Sequence, residues 1–166
     1  MQDRVRKIRK SSVRKIVSGG QTGADRAALD FAIENNFDYG GFVPKARIAE
    51  DGRIPDIYEK LVETDSAEYE QRTELNVINS DATLIVSHGD LKGGSLFTKN
   101  MAEKHRKPYL HIDFDELSIE QASAMVRAWL EALRCEVLNV AGSRSSLDPR
   151  IYQKTKDLLS LSLLEY

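Results

Sequence analysis

Short apolar runs alternate with amphipathic segments along most of the chain. Runs typical of β-strands occupy residues 15–18, 39–43, 61–62, 82–87, 108–112 and 136–140. Apolar residues recur at helical spacing in segments 22–34, 69–79, 95–106, 118–133 and 148–164. Strands separated by helices of this length are typical of right-handed βαβ units. The pattern therefore predicts an α/β fold, a three-layer, Rossmann-like, doubly wound domain with a mainly parallel sheet.

Polar residues at the predicted helix starts indicate how the helices are capped. A hydroxyl or carboxylate at the N-cap accepts a backbone N–H, and proline is favoured at the first helical position. Thr22 with Asp25 and Ser118 with Gln121 have the spacing of a capping box, and Asp148 supplies an N-cap with Pro149 at the first helical position. In the helix after Ser118, the predicted buried stripe is Ala122, Met125, Trp129 and Leu133.

Charge is distributed unevenly along the 166 residues, a length typical of one domain with a sizeable core. The net charge is −2, yet seven basic residues and a single acidic residue fall within the first 15 positions. We therefore predict a basic N-terminal arm, residues 1–14, that is flexible or forms a first strand. A single Rossmann-like ligand-binding domain follows at residues 15–166. The acidic remainder disfavours nucleic acid as a partner.

Several functional classes are disfavoured by what the sequence lacks. No stretch approaches the ~18 apolar residues of a membrane span, and no signal-peptide pattern follows the basic start. The single cysteine, Cys135, excludes an intramolecular disulfide, and no Cys/His cluster has zinc-like spacing. We expect a cytoplasmic protein without a membrane span or a structural metal.

A glycine-rich segment follows the first predicted strand directly. It comprises Gly19, Gly20, Gln21 and Thr22. Glycine permits close backbone approach, and a helix start offers free N–H groups with a positive dipole end. In a doubly wound sheet, ligands bind at the carboxyl ends of the strands. The segment therefore predicts a phosphate-binding loop, the alternative being a tight turn that binds nothing.

A second glycine-rich segment follows the most apolar predicted strand. Gly93 and Gly94 precede Ser95, and Thr98 places a second hydroxyl one helical turn later. Alone, this pattern also fits a flexible loop. Together with the first segment, it predicts two strand ends that hold one extended anionic ligand.

Two further segments carry candidate ligand residues. Lys45 lies in a long charged loop, residues 44–55, which fits either a mobile lid or a plain surface loop. Arg72 and Asn76 fall near one stripe of a predicted helix, which fits either ligand binding or exposure to solvent. His88 ends a strand, but no paired acid or nucleophile is in view along the sequence, which disfavours a catalytic role.

These motifs together resemble one known family. Residues 18–26 read Ser-Gly-Gly-Gln-Thr-Gly-Ala-Asp-Arg, and residues 72–77 read Arg-Thr-Glu-Leu-Asn-Val. Gly-Gly-Phe-Val-Pro-Lys at 40–45 and Leu-Asn-Val-Ala-Gly at 138–142 occur in the matching order. Over residues 14–160 the chain is similar to the molybdenum-cofactor carrier family. That family belongs to the Rossmann-like superfamily that includes lysine-decarboxylase-like phosphoribohydrolases.

The resemblance implies a carrier that binds a small phosphorylated heterocyclic ligand, the molybdenum cofactor, and forms a homo-oligomer. A carrier needs no catalytic groups, so we expect binding without turnover. The ligand-binding residues that the resemblance implies are Gly19, Gly20, Gln21, Thr22, Lys45, Arg72, Asn76, Gly93, Gly94, Ser95 and Thr98.

Two alternatives remain open: a nucleoside-monophosphate phosphoribohydrolase-like enzyme and a nucleotide-sensing module. The superfamily's hydrolases show Pro-Gly-Gly-x-Gly-Thr-x-x-Glu at the second loop. Here Lys92 stands at the proline position and Asn100 at the glutamate position. Because N-glycosidic hydrolysis needs an acid or a base, the enzyme would have to use Glu50, Asp51 or Asp81 instead. We therefore favour a binding protein.

Overall fold

The computed structural model describes residues 8–9 and 11–165. Its strands are β1 (Ile8–Arg9), β2 (Lys15–Val17), β3 (Asp38–Val43), β4 (Ile48–Ala49), β5 (Gly52–Arg53), β6 (Leu61–Glu63), β7 (Ala82–Ser87), β8 (Tyr109–Asp113), β9 (Val137–Gly142) and β10 (Leu164–Glu165). Its helices are α1 (Ala24–Glu34), α2 (Tyr69–Ile78), α3 (Gly93–Lys104), α4 (Ile119–Leu133) and α5 (Ile151–Leu163). Among these described residues, no helix combines the length and the apolar character that a membrane crossing requires.

Six strands form one sheet in the order β6-β3-β2-β9-β7-β8. Every neighbouring pair in this sheet is parallel. All six residues of β7 are buried, as expected for a central strand covered on both faces. The main core contains residues of α1, α4 and α5, in which α5 packs against both α1 and α4, while α2 packs against α3 and β3. The predicted Rossmann-like α/β fold is confirmed.

The strand order creates a switch point in the middle of the sheet. From β2 the chain moves outward to β3 and β6, then crosses to β7 and β8, and finally inserts β9 between β2 and β7. Gly142, at the end of β9, permits this close fit because a Cβ there would lie 2.3 Å from the Val86 carbonyl oxygen. Crevices at such switch points are where doubly wound sheets bind their ligands.

The first and the last described strands lie beside one another in the fold. β1 pairs antiparallel with β10, and Val13 is 1% exposed within the main core. Of the predicted basic arm, residues 1–7 and residue 10 lie outside the described part of the chain.

Of the helix starts predicted at Ser118 and Asp148, the structure confirms the first and not the second. The capping box of α4 is confirmed, because Ser118 accepts the Gln121 backbone N–H while the Gln121 side chain accepts the Ser118 N–H. α5 begins only at Ile151, so the start predicted at Asp148 is wrong. The Asp148 carboxylate accepts the Arg150 backbone N–H and also contacts the His88 ring.

The predicted buried stripe of α4 is rotated relative to the observed one. Met125 is 43% exposed and Leu133 is 39% exposed. The buried face instead runs through Ala122, Val126 and Leu130. Apolar residues occupy more than one stripe of this helix, and packing against α5 and the sheet selects between them.

Candidate functional site

A cavity of about 570 Å³ opens at the carboxyl ends of β2, β9 and β7. Its walls are the loops that follow these three strands and the N-terminal halves of α2 and α3. The volume falls within the range of roughly 300–1,000 Å³ that small-molecule sites occupy. The cavity therefore lies at the switch point of the sheet and has the size of a ligand site.

Most of the residues predicted to bind ligand meet at this cavity. Gly20, Thr22 and Lys45 lie outside its lining. The predicted residues that line it are Gly19, Gln21, Arg72, Asn76, Gly93, Gly94, Ser95 and Thr98.

Several backbone amides between β2 and the start of α1 are already hydrogen-bonded within the protein. Gln21 N–H donates to Asp25 at 3.2 Å, Thr22 N–H to the Gln21 side-chain oxygen at 3.1 Å, and Ala24 N–H to the Ser143 carbonyl at 3.1 Å. Burial raises the pKa of Asp25 above its usual value, although nearby Arg72 opposes the shift. A loop that holds a buried carboxylate in this way has fewer donors left for a phosphate than its glycines suggest.

Arg72 reaches from α2 onto this loop. Its Nη1 donates to the Gly19 carbonyl at 2.6 Å and lies 3.7 Å from the Asp25 carboxylate. A Cβ on Gly19 would lie 2.4 Å from that nitrogen, so the absence of a side chain at Gly19 makes room for the guanidinium. Arg72 is 8% exposed and Asn76 is 3% exposed, so the solvent-facing interpretation of this stripe is wrong.

Asn76 lines the cavity, but its side-chain amide is hydrogen-bonded to β3. Its Oδ1 accepts the Phe42 N–H at 2.8 Å, and its Nδ2 donates to the Phe42 carbonyl at 3.0 Å. The side chain thus replaces a neighbouring strand for one residue of β3. We infer that Asn76 mainly shapes the cavity wall.

Gly20 and Lys45 contact other parts of the fold and not the cavity. Gly20 has φ of +76°, and a Cβ there would lie 2.9 Å from Ile54 Cδ1 and 3.1 Å from Val43 Cγ1. Its missing side chain therefore faces a second apolar core and not the ligand cavity. Lys45 is exposed, and its backbone N–H donates to the Ser66 carbonyl.

Thr22 joins two loops through Glu50. Its hydroxyl donates to the Glu50 carboxylate and accepts the Ser145 backbone N–H. α1 instead has Gly23 at its N-cap, and no described side chain caps it, so the capping box predicted at Thr22 is wrong. Burial opposes ionisation of Glu50, but hydrogen bonds from Ser146 and Thr22 outweigh it, so the pKa of Glu50 lies below its usual value.

The long charged loop is anchored rather than open. It contains the β4–β5 hairpin, and the buried Arg47 guanidinium donates to the carbonyls of Ile54, Pro55 and Tyr58. Ile54 is fully buried in the second core. These contacts favour a fixed structural element over the mobile lid that its length also fitted.

The first turn of α3 presents backbone donors beside open space. No described side chain caps this helix, and Ser95 N–H turns back to the Lys92 carbonyl. A Cβ on Gly93 or Gly94 would meet nothing within 4 Å, and both residues are exposed. An uncapped helix start with open space beside it suits an anionic group.

One candidate pair escaped prediction from the sequence. His88 Nδ1 contacts the Asp148 carboxylate, and the two side chains are 6% and 9% exposed. Both residues line the cavity, and the His88 ring also packs beside Phe114 with centroids 5.4 Å apart. Because 60 residues separate His88 from Asp148, no local motif could reveal the pair.

The carboxylates that line the cavity are not those that the hydrolase alternative was predicted to use. Glu50 is held as described above, Asp51 pairs with Arg26, and Asp81 accepts the Val137 N–H at 2.8 Å. None of the three is among the lining residues. The carboxylates that do line the cavity are Asp25, Glu70, Asp90 and Asp148. Within the described residues, no group of three or more His, Cys, Asp or Glu side chains is arranged to hold a metal ion.

Comparisons with known proteins agree with this architecture. The sequence profile described as the circularly permutated YpsA SLOG family matches residues 16–163. A crystal structure from Syntrophus aciditrophicus SB, of a protein named "putative molybdenum carrier protein", is 53% identical with a TM-score of 0.90. The match covers 93% of this chain and 97% of that chain. No functionally curated protein sequence matches the chain.

Proposed function

The chain belongs to the circularly permutated YpsA SLOG family, and from this premise we propose that it binds and carries a small phosphorylated heterocycle, the molybdenum cofactor. The observation that carries the proposal is the cavity of about 570 Å³ at the switch point, where open helix amides and buried charged groups face one ligand-sized space. The name of the Syntrophus aciditrophicus protein supports a carrier role for this fold.

The cavity has donors for the anionic parts of such a ligand. The molybdenum cofactor is a pterin with a dithiolene-bound metal and a terminal phosphate. Backbone amides of Gly93 and Gly94 at the start of α3 suit the phosphate. Arg72 suits oxoanionic groups, because its guanidinium is already desolvated and held in place by Gly19.

The cavity also has acceptors for the heterocycle. A pterin presents ring and amino N–H groups along one edge, and carboxylates accept such hydrogen bonds strongly. Asp25, Glu70 and Asp90 line the cavity and offer this chemistry. The donors and the acceptors together fit a ligand that carries both anionic groups and N–H groups.

The direct test is to measure what the protein retains. The chain is purified under anaerobic conditions, incubated with molybdenum cofactor and desalted. Bound pterin is then measured as its fluorescent oxidation product, and bound molybdenum by mass spectrometry. We expect the two to bind in equal amounts, approaching one of each per chain. Retention of neither pterin nor molybdenum would contradict the proposal.

A matched pair of arginine variants separates the cavity from general effects. Arg72→Gln removes a guanidinium that lines the cavity and should weaken cofactor retention about 10-fold or more, the usual effect of losing a hydrogen bond to a charged group. Arg127→Gln is the control, because that partly buried arginine donates to the Leu161 carbonyl between α4 and α5 and does not line the cavity. Equal retention by both variants would contradict the assignment of the site.

The runner-up function is hydrolysis of a nucleoside monophosphate. It is favoured by one observation, the presence of Asp25 and the His88–Asp148 pair in the same cavity, since these groups could supply an acid or a base. Incubation with AMP or CMP followed by chromatography would show release of the free base. Release that disappears in Asp25→Asn would favour the enzyme over the carrier.

A further inference from the structure

One of the two ring nitrogens of His88 is already hydrogen-bonded. Nδ1 is held by Asp148, whereas Nε2 has no hydrogen-bond partner in the part of the chain that the structure describes. The ring is 6% exposed and lines the cavity. A buried imidazole with one nitrogen fixed by a carboxylate presents the other nitrogen in a defined direction. This arrangement is typical of a group that contacts a ligand.

His88 and the open amides of α3 belong to one continuous wall. Every residue from Ser87 to Ser95 lines the cavity, with His88 near the start and Gly93 and Gly94 near the end. The loop is pinned where it leaves β7, because Gly89 N–H donates to the Asp113 carboxylate at 2.7 Å. A group bound at the first turn of α3 therefore lies on the same wall as the imidazole.

The charges around this wall determine what it accepts. Lys92 contributes a positive charge to the wall itself, and Arg144 lines the cavity from the loop after β9. Asp90 lines the wall. Asp113, which accepts two backbone N–H groups, and Asp115, whose carboxylate lies 3.6 Å from the position of a Gly89 Cβ, flank it. The charge of Asp148 is shared with Arg150, whose Nε lies 3.5 Å from its second oxygen. Arg144 Nε lies 3.4 Å from the Glu50 carboxylate, so the exposed Lys92, which has no ion pair among the described residues, is the cation available to an anionic group beside the imidazole.

We propose that His88 donates its Nε2–H to the phosphate of the bound ligand, with Asp148 as the positioning residue that holds Nδ1–H. The inference rests on the proposed function, since it names the residue that recognises the phosphate of that ligand. The phosphate oxygen carries the negative charge, so a hydrogen bond that it accepts from Nε2–H is charge-assisted. The site thereby selects ligands that end in a phosphomonoester over the same ligands without phosphate.

Two matched pairs of probes test this selection. The pairs are AMP with adenosine, and 6-hydroxymethylpterin phosphate with 6-hydroxymethylpterin. Binding is measured by calorimetry for the wild-type protein and for His88→Gln. We expect His88→Gln to weaken binding of a phosphorylated member by about 10- to 100-fold, while binding of its unphosphorylated partner changes less than about 3-fold.

The control variant is His105→Gln. His105 also pairs with a carboxylate, that of Glu74 at 3.1 Å, but it lies at the end of α3 and does not line the cavity. This variant should bind both members of each pair as the wild type does. Asp148→Asn should lose part of the phosphate preference, because a neutral amide holds Nδ1–H less strongly than a carboxylate does.

Nuclear magnetic resonance of the wild-type protein supplies a readout that does not depend on the variants folding. The chain has only three histidines, so their ring nitrogens can be resolved. Adding the phosphorylated probe should shift the His88 Nε2 signal while Nδ1 keeps its hydrogen, and the His105 signals should stay in place.

The outcomes separate the two proposals. Equal weakening of both members of a pair, no weakening, or an unchanged Nε2 signal on saturation would overturn the role of His88 and leave the cavity as a ligand site. A wild-type protein that prefers neither phosphorylated probe would overturn the phosphate recognition in the proposed function, and the role of His88 with it.

Discussion

Gly20→Ala should destabilise the fold, even though Gly20 lies within the segment predicted to bind phosphate. Gly20 has φ of +76°, which alanine rarely adopts. A Cβ would also lie 2.9 Å from Ile54 Cδ1 and 3.1 Å from Val43 Cγ1. Both side chains are fully buried in the second core, so they have little room to move aside.

The expected magnitude follows from these two contributions. A left-handed backbone costs an ordinary residue roughly 1–2 kcal/mol. Overpacking a core costs about 1–3 kcal/mol. Together they give a loss of about 2–5 kcal/mol in the free energy of unfolding, which the smaller entropic gain of about 0.4–1 kcal/mol from replacing glycine does not offset. The loss is a large fraction of the ~5–15 kcal/mol that stabilises a typical domain.

Urea unfolding of the wild type and the variant measures this loss as a shift of the midpoint at unchanged slope. Gly94→Ala is the control, because a Cβ there meets nothing within 4 Å and alanine is favoured within a helix. That variant should stay within about 1 kcal/mol of the wild type. If Gly20→Ala unfolds at the wild-type midpoint, the assignment of Gly20 to packing is wrong.

Two other predictions concern side chains that hold the cavity in place. Asn76→Ala should lower the free energy of unfolding by about 1–3 kcal/mol, because it leaves the Phe42 N–H and carbonyl without their side-chain partner; an unchanged urea midpoint would contradict this role. Glu50→Gln should destabilise the protein at neutral pH and much less in strongly acidic buffer. The pKa of Glu50 is lowered in the folded state, so its contribution is present above the usual glutamate pKa and disappears as the pH falls through the lowered value. Urea unfolding at both pH values measures this loss, and an equal loss in free energy of unfolding at the two pH values would contradict the prediction.

The sheet was predictable because its strands are short and apolar. β7 is buried along its whole length, so it reads as a continuous apolar run whose bounds the sequence already indicates. The β4–β5 hairpin was not predictable, since each strand has two residues and shows no period. The pairing of β1 with β10 joins opposite ends of the chain, and no local pattern carries that information.

The position of the candidate site was predictable to a greater extent than the roles of its residues. Gly19 and Gly20 are adjacent and chemically identical, yet one makes room for Arg72 beside the cavity and the other makes room for Ile54 in a core. Which of the two faces the cavity depends on backbone geometry that spacing does not encode. The contact between His88 and Asp148 spans 60 residues, so it required the folded structure.

The two glycine-rich loops therefore serve different purposes, although their sequences suggested one. The loop after β2 supplies a carbonyl and a buried carboxylate that hold Arg72, and several of its amides are already bonded. The loop after β7 ends in an uncapped helix start with open space beside Gly93 and Gly94. We infer that an anion gains more from the second loop than from the first, because amides that are already hydrogen-bonded cannot donate to it. Under the proposed function, the phosphate of the ligand thus lies toward α3, and its N–H-rich ring lies toward Asp25.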